Sequence, residues 1–385
     1  MFYSALLEQK KTEGSFRTLA NIDEARRRAA AAGRAFVNLG SNDYLGLGED
    51  AALRREFWAG RDPASLRLGA CSSRLLTGTC DEHEALEQAL ARAYGAEAAL
   101  VFGSGYHANE GILPALCGKG SLLLADKLIH ASCIDGMRLC AGRVLRYRHN
   151  DYRQLAALVE QHHAACETIW IVTESVFSMD GDFCDLAALT ALRRAFPRVR
   201  LYVDEAHAVG VRGPGGLGCC AAAGCLGDVD VLMGTMSKAW ASAGAFVVCT
   251  AELRDYLINT VRPFIFTTAL PPVNLAWSRF ILERMAGADM TARRQHLAAV
   301  SRRLHAVAHP GRAEGEPSQI VPVILGDNRR TLAAAEALQA EGFYVSAIRP
   351  PTVPAGTSRL RISLTAAVTT AQAEALARSL RPWLP

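Results

Sequence analysis

The stretch TIWIVTESVFSMDGDFCDLAALTALRRAFPRVRLYVDEAH, residues 168–207, decides how this chain folds. It opens on an apolar run, TIWIV, that turns polar at its end. DLAALTALRRAF follows with helical spacing, and RLYV is a second apolar run ending on Asp204, Glu205 and His207. A strand, a helix and a second strand in that order require a crossover connection, which sets the two strands parallel with the helix on one face. Strands as continuously apolar as TIWIV fit a sheet covered on both faces.

The same rhythm extends outward. AALVF (98–102), SLLLAD (121–126), RVLRY (143–147), VDVLMGT (229–235) and AFVVCT (245–250) read as further strands, with helical segments such as DYRQLAALVEQHHA between them. After about residue 285 the pattern changes. A helix over 291–309 leads to a strand (IVPVIL), a helix (RTLAAAEALQAEG), two strands (FYVSAI and RLRISL) and a last helix (TAQAEALARSL). His296 and His305, on the helix over 291–309, are expected on its surface. The reading is therefore α/β. An N-terminal segment (1–40) precedes a large domain with a mostly parallel, helix-covered sheet (41–285), and a smaller α+β domain (286–385) follows.

At 385 residues the chain is long enough for that large domain and appendage. A net charge of +4 is spread out, and Arg26-Arg27-Arg28 reads as one solvated helix face. No basic stripe interleaved with aromatics suggests nucleic acid, and no run of about 18 apolar residues suggests a membrane span. The N-terminus, MFYSALLEQKKTEG, is too polar for a secretory signal, so a cytoplasmic protein is expected. Eleven cysteines at irregular spacing read as free thiols in a reducing compartment. Cys219, Cys220 and Cys225 cluster beside glycines without a CxxC pair, and no metal is expected there.

Polar residues collect where the strands end, which is where parallel sheets bind ligands. AALVF runs into Gly103-Ser104-Gly105-Tyr106, a glycine turn opening a helix and offering free N–H groups to a phosphate. RLYV runs into Asp204 and VDVLMG into Thr235-Met236-Ser237-Lys238. A buried strand-end aspartate needs a cationic or donor partner. A lysine among small residues (Ala239, Ala241, Ser242, Ala243, Gly244) is desolvated and suited to a Schiff base. Each alone has an ordinary explanation: a helix cap for the aspartate, a solvated loop for the lysine, a structural turn for the glycines. Together they point to pyridoxal 5'-phosphate.

Five segments carry a resemblance. Ser41-Asn42-Asp43-Tyr44-Leu45-Gly46-Leu47, Asp126-Lys127-Leu128-Ile129-His130-Ala131-Ser132, Val176-Phe177-Ser178-Met179-Asp180-Gly181-Asp182, Val203-Asp204-Glu205-Ala206-His207 and Gly234-Thr235-Met236-Ser237-Lys238-Ala239 resemble the α-oxoamine synthases. The likeness spans nearly the whole chain in the same order. That family comprises fold-type I pyridoxal-phosphate enzymes that condense an amino acid with an acyl thioester and release carbon dioxide. Leu325-Gly326-Asp327-Asn328 and the run 347–357 (AIRPPTVPAGT) resemble the branch using L-alanine and a pimeloyl thioester, on coenzyme A or acyl carrier protein. Members using glycine or serine, and a non-catalytic member, are the alternatives; the presence of Lys238 argues against the last.

The resemblance implies roles. Lys238 would hold the cofactor and move the Cα proton, Asp204 would pair with the ring nitrogen, His207 would bond the ring oxygen, and His130 would stack on the ring. Gly105, Tyr106 and Thr235 would bind phosphate, and Ser178 would contact cofactor or substrate. Arg361 would pair with the amino-acid carboxylate, since a guanidinium matches a carboxylate bidentately. Arg17 and Thr352 would touch substrate, although a surface arginine satisfies the short match SFRTL equally well. FIFTTALPP (264–272) has the composition of an ordinary buried loop. The family's matching loop reaches across a homodimer, which would put Thr267 or Thr268 near the partner's cofactor. The sequence departs from the pattern at Ala241 and Ala245, where glycines are usual. It departs again at Cys80, where a histidine is common, although His83 stands nearby.

Overall fold

The computed structural model describes residues 2–311 and 316–384. Among them lie twelve strands: β1 (Val37–Asn38), β2 (Ala98–Phe102), β3 (Ser121–Asp126), β4 (Arg143–Tyr147), β5 (Thr168–Glu174), β6 (Val199–Asp204), β7 (Val231–Thr235), β8 (Ala245–Cys249), β9 (Ile320–Gly326), β10 (Phe343–Tyr344), β11 (Ser346–Ile348) and β12 (Ser358–Ser363). The chain divides into two compact units. The larger holds Leu45–Ser178 and Asp182–Arg294; the smaller holds Met1–Tyr44, Met179–Gly181 and Gln295–Pro385.

The larger unit is built on a seven-stranded sheet of order β2-β8-β7-β6-β5-β3-β4. β4, β3, β5, β6 and β7 run parallel, and β8 is antiparallel to both its neighbours. Every residue of β2, β7 and β8 is buried, as strands covered on both faces require. β4 is the exception. It lies at the edge with Arg143 and Arg146 exposed, and such charges keep an open edge from pairing with another chain. Helices Gly105–Leu116 and Ala131–Arg138 pack together over one face. Their Ile112, Leu113, Cys133 and Met137 join Leu100, Leu123, Val172, Tyr202 and Met233 in one core.

Short polar residues start the helices. Ser104, Asp151 and Asp185 each accept a hydrogen bond from the N–H three residues on, satisfying a donor that the first helical turn leaves free.

The smaller unit contains an antiparallel sheet of order β11-β12-β9 and a parallel pair, β1 with β10. FYVSAI, read as one strand, is two: Phe343 and Tyr344 pair with β1, and Ser346–Ile348 pair with β12. One further expectation fails. His305 is buried and its Nε2 meets the Ser318 carbonyl at 3.1 Å, while His296 Nε2 lies 2.7 Å from the Val368 carbonyl. The helix Ala288–Ala308 turns these rings toward backbone acceptors, which an amphipathic pattern alone does not reveal. Gly181 sits in the same unit at φ +65°, and a Cβ there would fall 2.4 Å from the Ile320 carbonyl oxygen. Only glycine fits that approach.

Candidate active site

Five strands of the larger unit, β2, β3, β5, β6 and β7, end at one edge, and each delivers a polar group at or within a few residues of its end. β6 ends on Asp204, buried at 4% exposure. Its Oδ2 accepts from Asn109 Nδ2 at 2.8 Å, and its Oδ1 accepts from the Ala206 N–H at 2.8 Å. Asn109 is itself fixed: its Oδ1 accepts from the Tyr202 hydroxyl at 2.6 Å, and its Nδ2 also donates to Ser132 Oγ at 2.9 Å. Burial holds the Tyr202 hydroxyl far above its usual range, so it remains a donor. Asp204 is thus a preorganised acceptor on a rigid strand.

Ser132 carries the network on to His130. The Ser132 N–H donates to His130 Nδ1 at 3.2 Å, and Ser132 Oγ lies 2.8 Å from the same nitrogen. Nδ1 is therefore an acceptor, and the neutral ring carries its proton on Nε2. Burial pushes the ring's pKa down; Asp204 opposes this and Lys238 adds to it. His130 is exposed, which leaves it room to meet a flat ligand.

His207, three residues past Asp204, meets Lys238 directly, with Nε2 and Nζ 2.9 Å apart. Lys238 follows β7 and is half-buried. Thr235 ends that strand; its hydroxyl donates to the Gly244 carbonyl at 3.0 Å and lies 2.8 Å from the exposed Ser237 hydroxyl. Gly105 and Tyr106 begin the helix Gly105–Leu116, whose first N–H groups have no intrahelical acceptors. The Tyr106 side chain points elsewhere, its hydroxyl bonded to Asp135. Ser178 is buried, and its N–H donates to Glu174 Oε2 at 3.2 Å. Thr267 and Thr268 lie near the same glycine turn: Thr267 Cγ2 is 3.9 Å from where a Cβ on Gly103 would stand, and Thr268 bridges to Ser73.

In the smaller unit two of the expected substrate residues meet each other: Arg17 Nη2 donates to Thr352 Oγ1 at 2.8 Å. Arg361, in β12, is buried and donates through Nη1 to Ser363 Oγ at 2.6 Å and Asn42 Oδ1 at 3.2 Å.

Sequence reasoning missed Asn109, Ser132 and Tyr202, which orient the aspartate and the histidine. Asn109 left one usable trace: four residues after Gly105, it shares a helix face with the phosphate-side turn. Asp126, in the second of the resembling segments, accepts from His149 Nδ1 at 2.9 Å, and His149 Nε2 donates to Asp182 at 2.7 Å.

A half-buried amine beside an imidazole, a buried oriented carboxylate, an exposed histidine and a helix N-terminus suit a flat, protonated heteroaromatic aldehyde bearing a phosphate. The class I and II aminotransferase profile matches residues 34–380. The chain belongs to that family. Its fold is the fold-type I arrangement, and its cofactor is pyridoxal 5'-phosphate. Among its relatives, a Pasteurella multocida protein is 46% identical over 97% of this chain and 96% of its own length. A Haemophilus influenzae protein is 49% identical over 94% and 95%. Both are provisionally named 8-amino-7-oxononanoate synthases. Among solved structures, serine palmitoyltransferase from Sphingomonas wittichii superposes with TM-score 0.83 at 34% identity, covering 91% of this chain and 87% of that one. 8-Amino-7-oxononanoate synthase from Francisella tularensis gives TM-score 0.75 at 26% identity, covering 90% and 97%. The chain is a pyridoxal-phosphate-dependent enzyme of the acyltransferase type, an α-oxoamine synthase. No helix among the described residues is long and apolar enough to cross a membrane.

Proposed function

We propose that this enzyme condenses L-alanine with a pimeloyl thioester, releasing carbon dioxide and the free thiol and forming 8-amino-7-oxononanoate, a step of biotin synthesis. The observation that carries the reading is the near-full-length identity of 46–49% to relatives of that name, joined to the Lys238–His207–Asp204 cluster.

Bound pyridoxal phosphate supplies an electron sink for the charge left on the amino acid's Cα. The chain's residues do the rest. Lys238 Nζ holds the cofactor and then takes and returns the Cα proton. His207, whose Nε2 lies 2.9 Å from that nitrogen, bonds the ring oxygen beside it. Asp204, held by Asn109 and the Ala206 N–H, keeps a positive charge on the ring nitrogen. The Gly105 and Tyr106 N–H groups and the Thr235 hydroxyl bind phosphate. His130 covers the ring, and Ser178 contacts the cofactor or substrate. Arg361 pairs with the alanine carboxylate, and Arg17 and Thr352 bind the acyl substrate. The working form is a homodimer.

The rival substrate is serine, favoured by the likeness to serine palmitoyltransferases. Purified enzyme is assayed with alanine, serine and glycine against pimeloyl, palmitoyl and acetyl thioesters, with thiol release as readout. Alanine with pimeloyl thioester is expected to exceed every other pair by at least about tenfold in kcat/KM. A preference for serine with the palmitoyl donor would overturn it.

A further inference from the structure

One carboxyl in the larger unit's site has no part in the chemistry above. Glu174 closes β5, with its Cα paired to that of Asp204 across the parallel ladder. Both side chains are buried, Glu174 at 2% exposure. Its Oε2 accepts from the Ser178 N–H at 3.2 Å. Its Oε1 is buried and has no hydrogen-bond partner among the described residues. The backbone N–H of His130 also acts on this carboxyl, favouring its charged form, without making a full hydrogen bond to it. Glu174 therefore sits beneath two loops, one carrying His130 after β3 and one carrying Ser178 after β5.

The two carboxyls are unequally served. Asp204 has an amide NH₂ and a backbone N–H, each at 2.8 Å. Glu174 has one full bond and one bare oxygen. Two anions on neighbouring buried strands, with Lys238 as the nearby cation, repel strongly at low dielectric. The proton that relieves this belongs on the less well solvated group. Burial first, and Asp204 second, raise Glu174 well above the usual carboxyl range, against smaller opposing effects from Lys238 and the two N–H groups.

We infer that Glu174 works as a neutral carboxylic acid that positions the His130 and Ser178 loops while leaving Asp204 as the sole anion under the cofactor. This rests on the function proposed above. A second anion would draw Lys238 into an ion pair and hold its amine protonated, which disfavours its bonding to an aldehyde carbon. Glu174 is a positioning residue, acting through its neighbours.

Two measurements test this. Infrared difference spectra of wild type against Glu174→Gln read the carboxyl directly, with or without cofactor. A protonated-acid carbonyl band present in wild type and lost in the variant is expected; a carboxylate band lost instead overturns the inference. In the holoenzyme, Glu174→Gln keeps the neutral shape and is expected to retain kcat within about threefold, whereas Glu174→Leu strips the acceptor from the Ser178 N–H and lowers kcat at least about tenfold with KM for alanine little changed. A Gln variant as impaired as the Leu variant, or a Leu variant with wild-type kcat, overturns it. If wild type condenses no amino acid with any thioester, the proposed function fails, and the infrared result still decides the state of Glu174.

Discussion

Ala241 has φ +47°, three residues past Lys238, and its N–H donates to the Lys238 carbonyl at 3.0 Å. A side chain in the left-handed region costs about 1–2 kcal/mol, so this turn stores strain where the family usually has glycine. Ala241→Gly is expected to raise stability by up to about 1 kcal/mol, part of the relief being offset by the freer unfolded chain. The urea midpoint measures it, and an unchanged or lower midpoint contradicts the strain. Gly244 is the opposite case: at φ +94°, a Cβ there would meet Leu270 Cδ1 at 2.4 Å and the Phe102 carbonyl oxygen at 2.9 Å. Asp204→Asn removes the charge but keeps the shape. Exchange of the alanine Cα proton with solvent should slow on the order of 10²-fold; near-normal exchange would refute the role given to Asp204. Lys238, Asp204 and His207 were legible because strand ends in a parallel sheet concentrate function and their residue types are specific. Asn109, Ser132 and Tyr202 were not, because each acts on a partner distant in sequence and is an ordinary residue on its own element.

The elements that present these residues are loops tied together by His149. Its ring bridges Asp126 at the end of β3 and Asp182 beyond β5, and packs edge-on against Phe177 with centroids 4.5 Å apart. Asp126 also accepts from the Leu128 and Asn150 N–H groups, which shapes the turn leading to His130. Burial disfavours the charged ring, but the two aspartates outweigh it and lift His149 to about 10 from 6.5. A raised folded pKa stabilises fully below the unfolded value near 6.5, and that stability is lost as pH climbs through about 10. The melting temperature should therefore fall between pH 8 and about 10.5 in wild type, and less steeply in His149→Asn. Parallel pH profiles would show that the clamp contributes nothing. The strands were readable at this scale, β2, β3 and β4 to the residue, because apolar runs bounded by turns leave little choice. Splitting FYVSAI into β10 and β11 was not readable, since two different partner strands, remote in sequence, divide it.

At the scale of the whole molecule, the alternation of strand and helix over 98–250 was enough to give the fold class. The order β2-β8-β7-β6-β5-β3-β4 was not, since it depends on which strands pair. The homodimer proposed for this chain makes a specific prediction. Thr267 and Thr268 are placed by that proposal at the partner's cofactor, while Lys238 serves its own. Mixing Lys238→Ala subunits with subunits altered to alanine at both threonines should restore part of the lost activity, because some heterodimers then hold one intact site. No recovery despite heterodimers demonstrated by mass would contradict shared sites. The chemistry proposed for this enzyme depends on which amine carries the cofactor. The holoenzyme is reduced with borohydride, digested and mapped by mass spectrometry. The reduced pyridoxyl group is expected on Lys238 alone, with loss of visible absorbance; a label on Lys127 or Lys119 would contradict that role for Lys238.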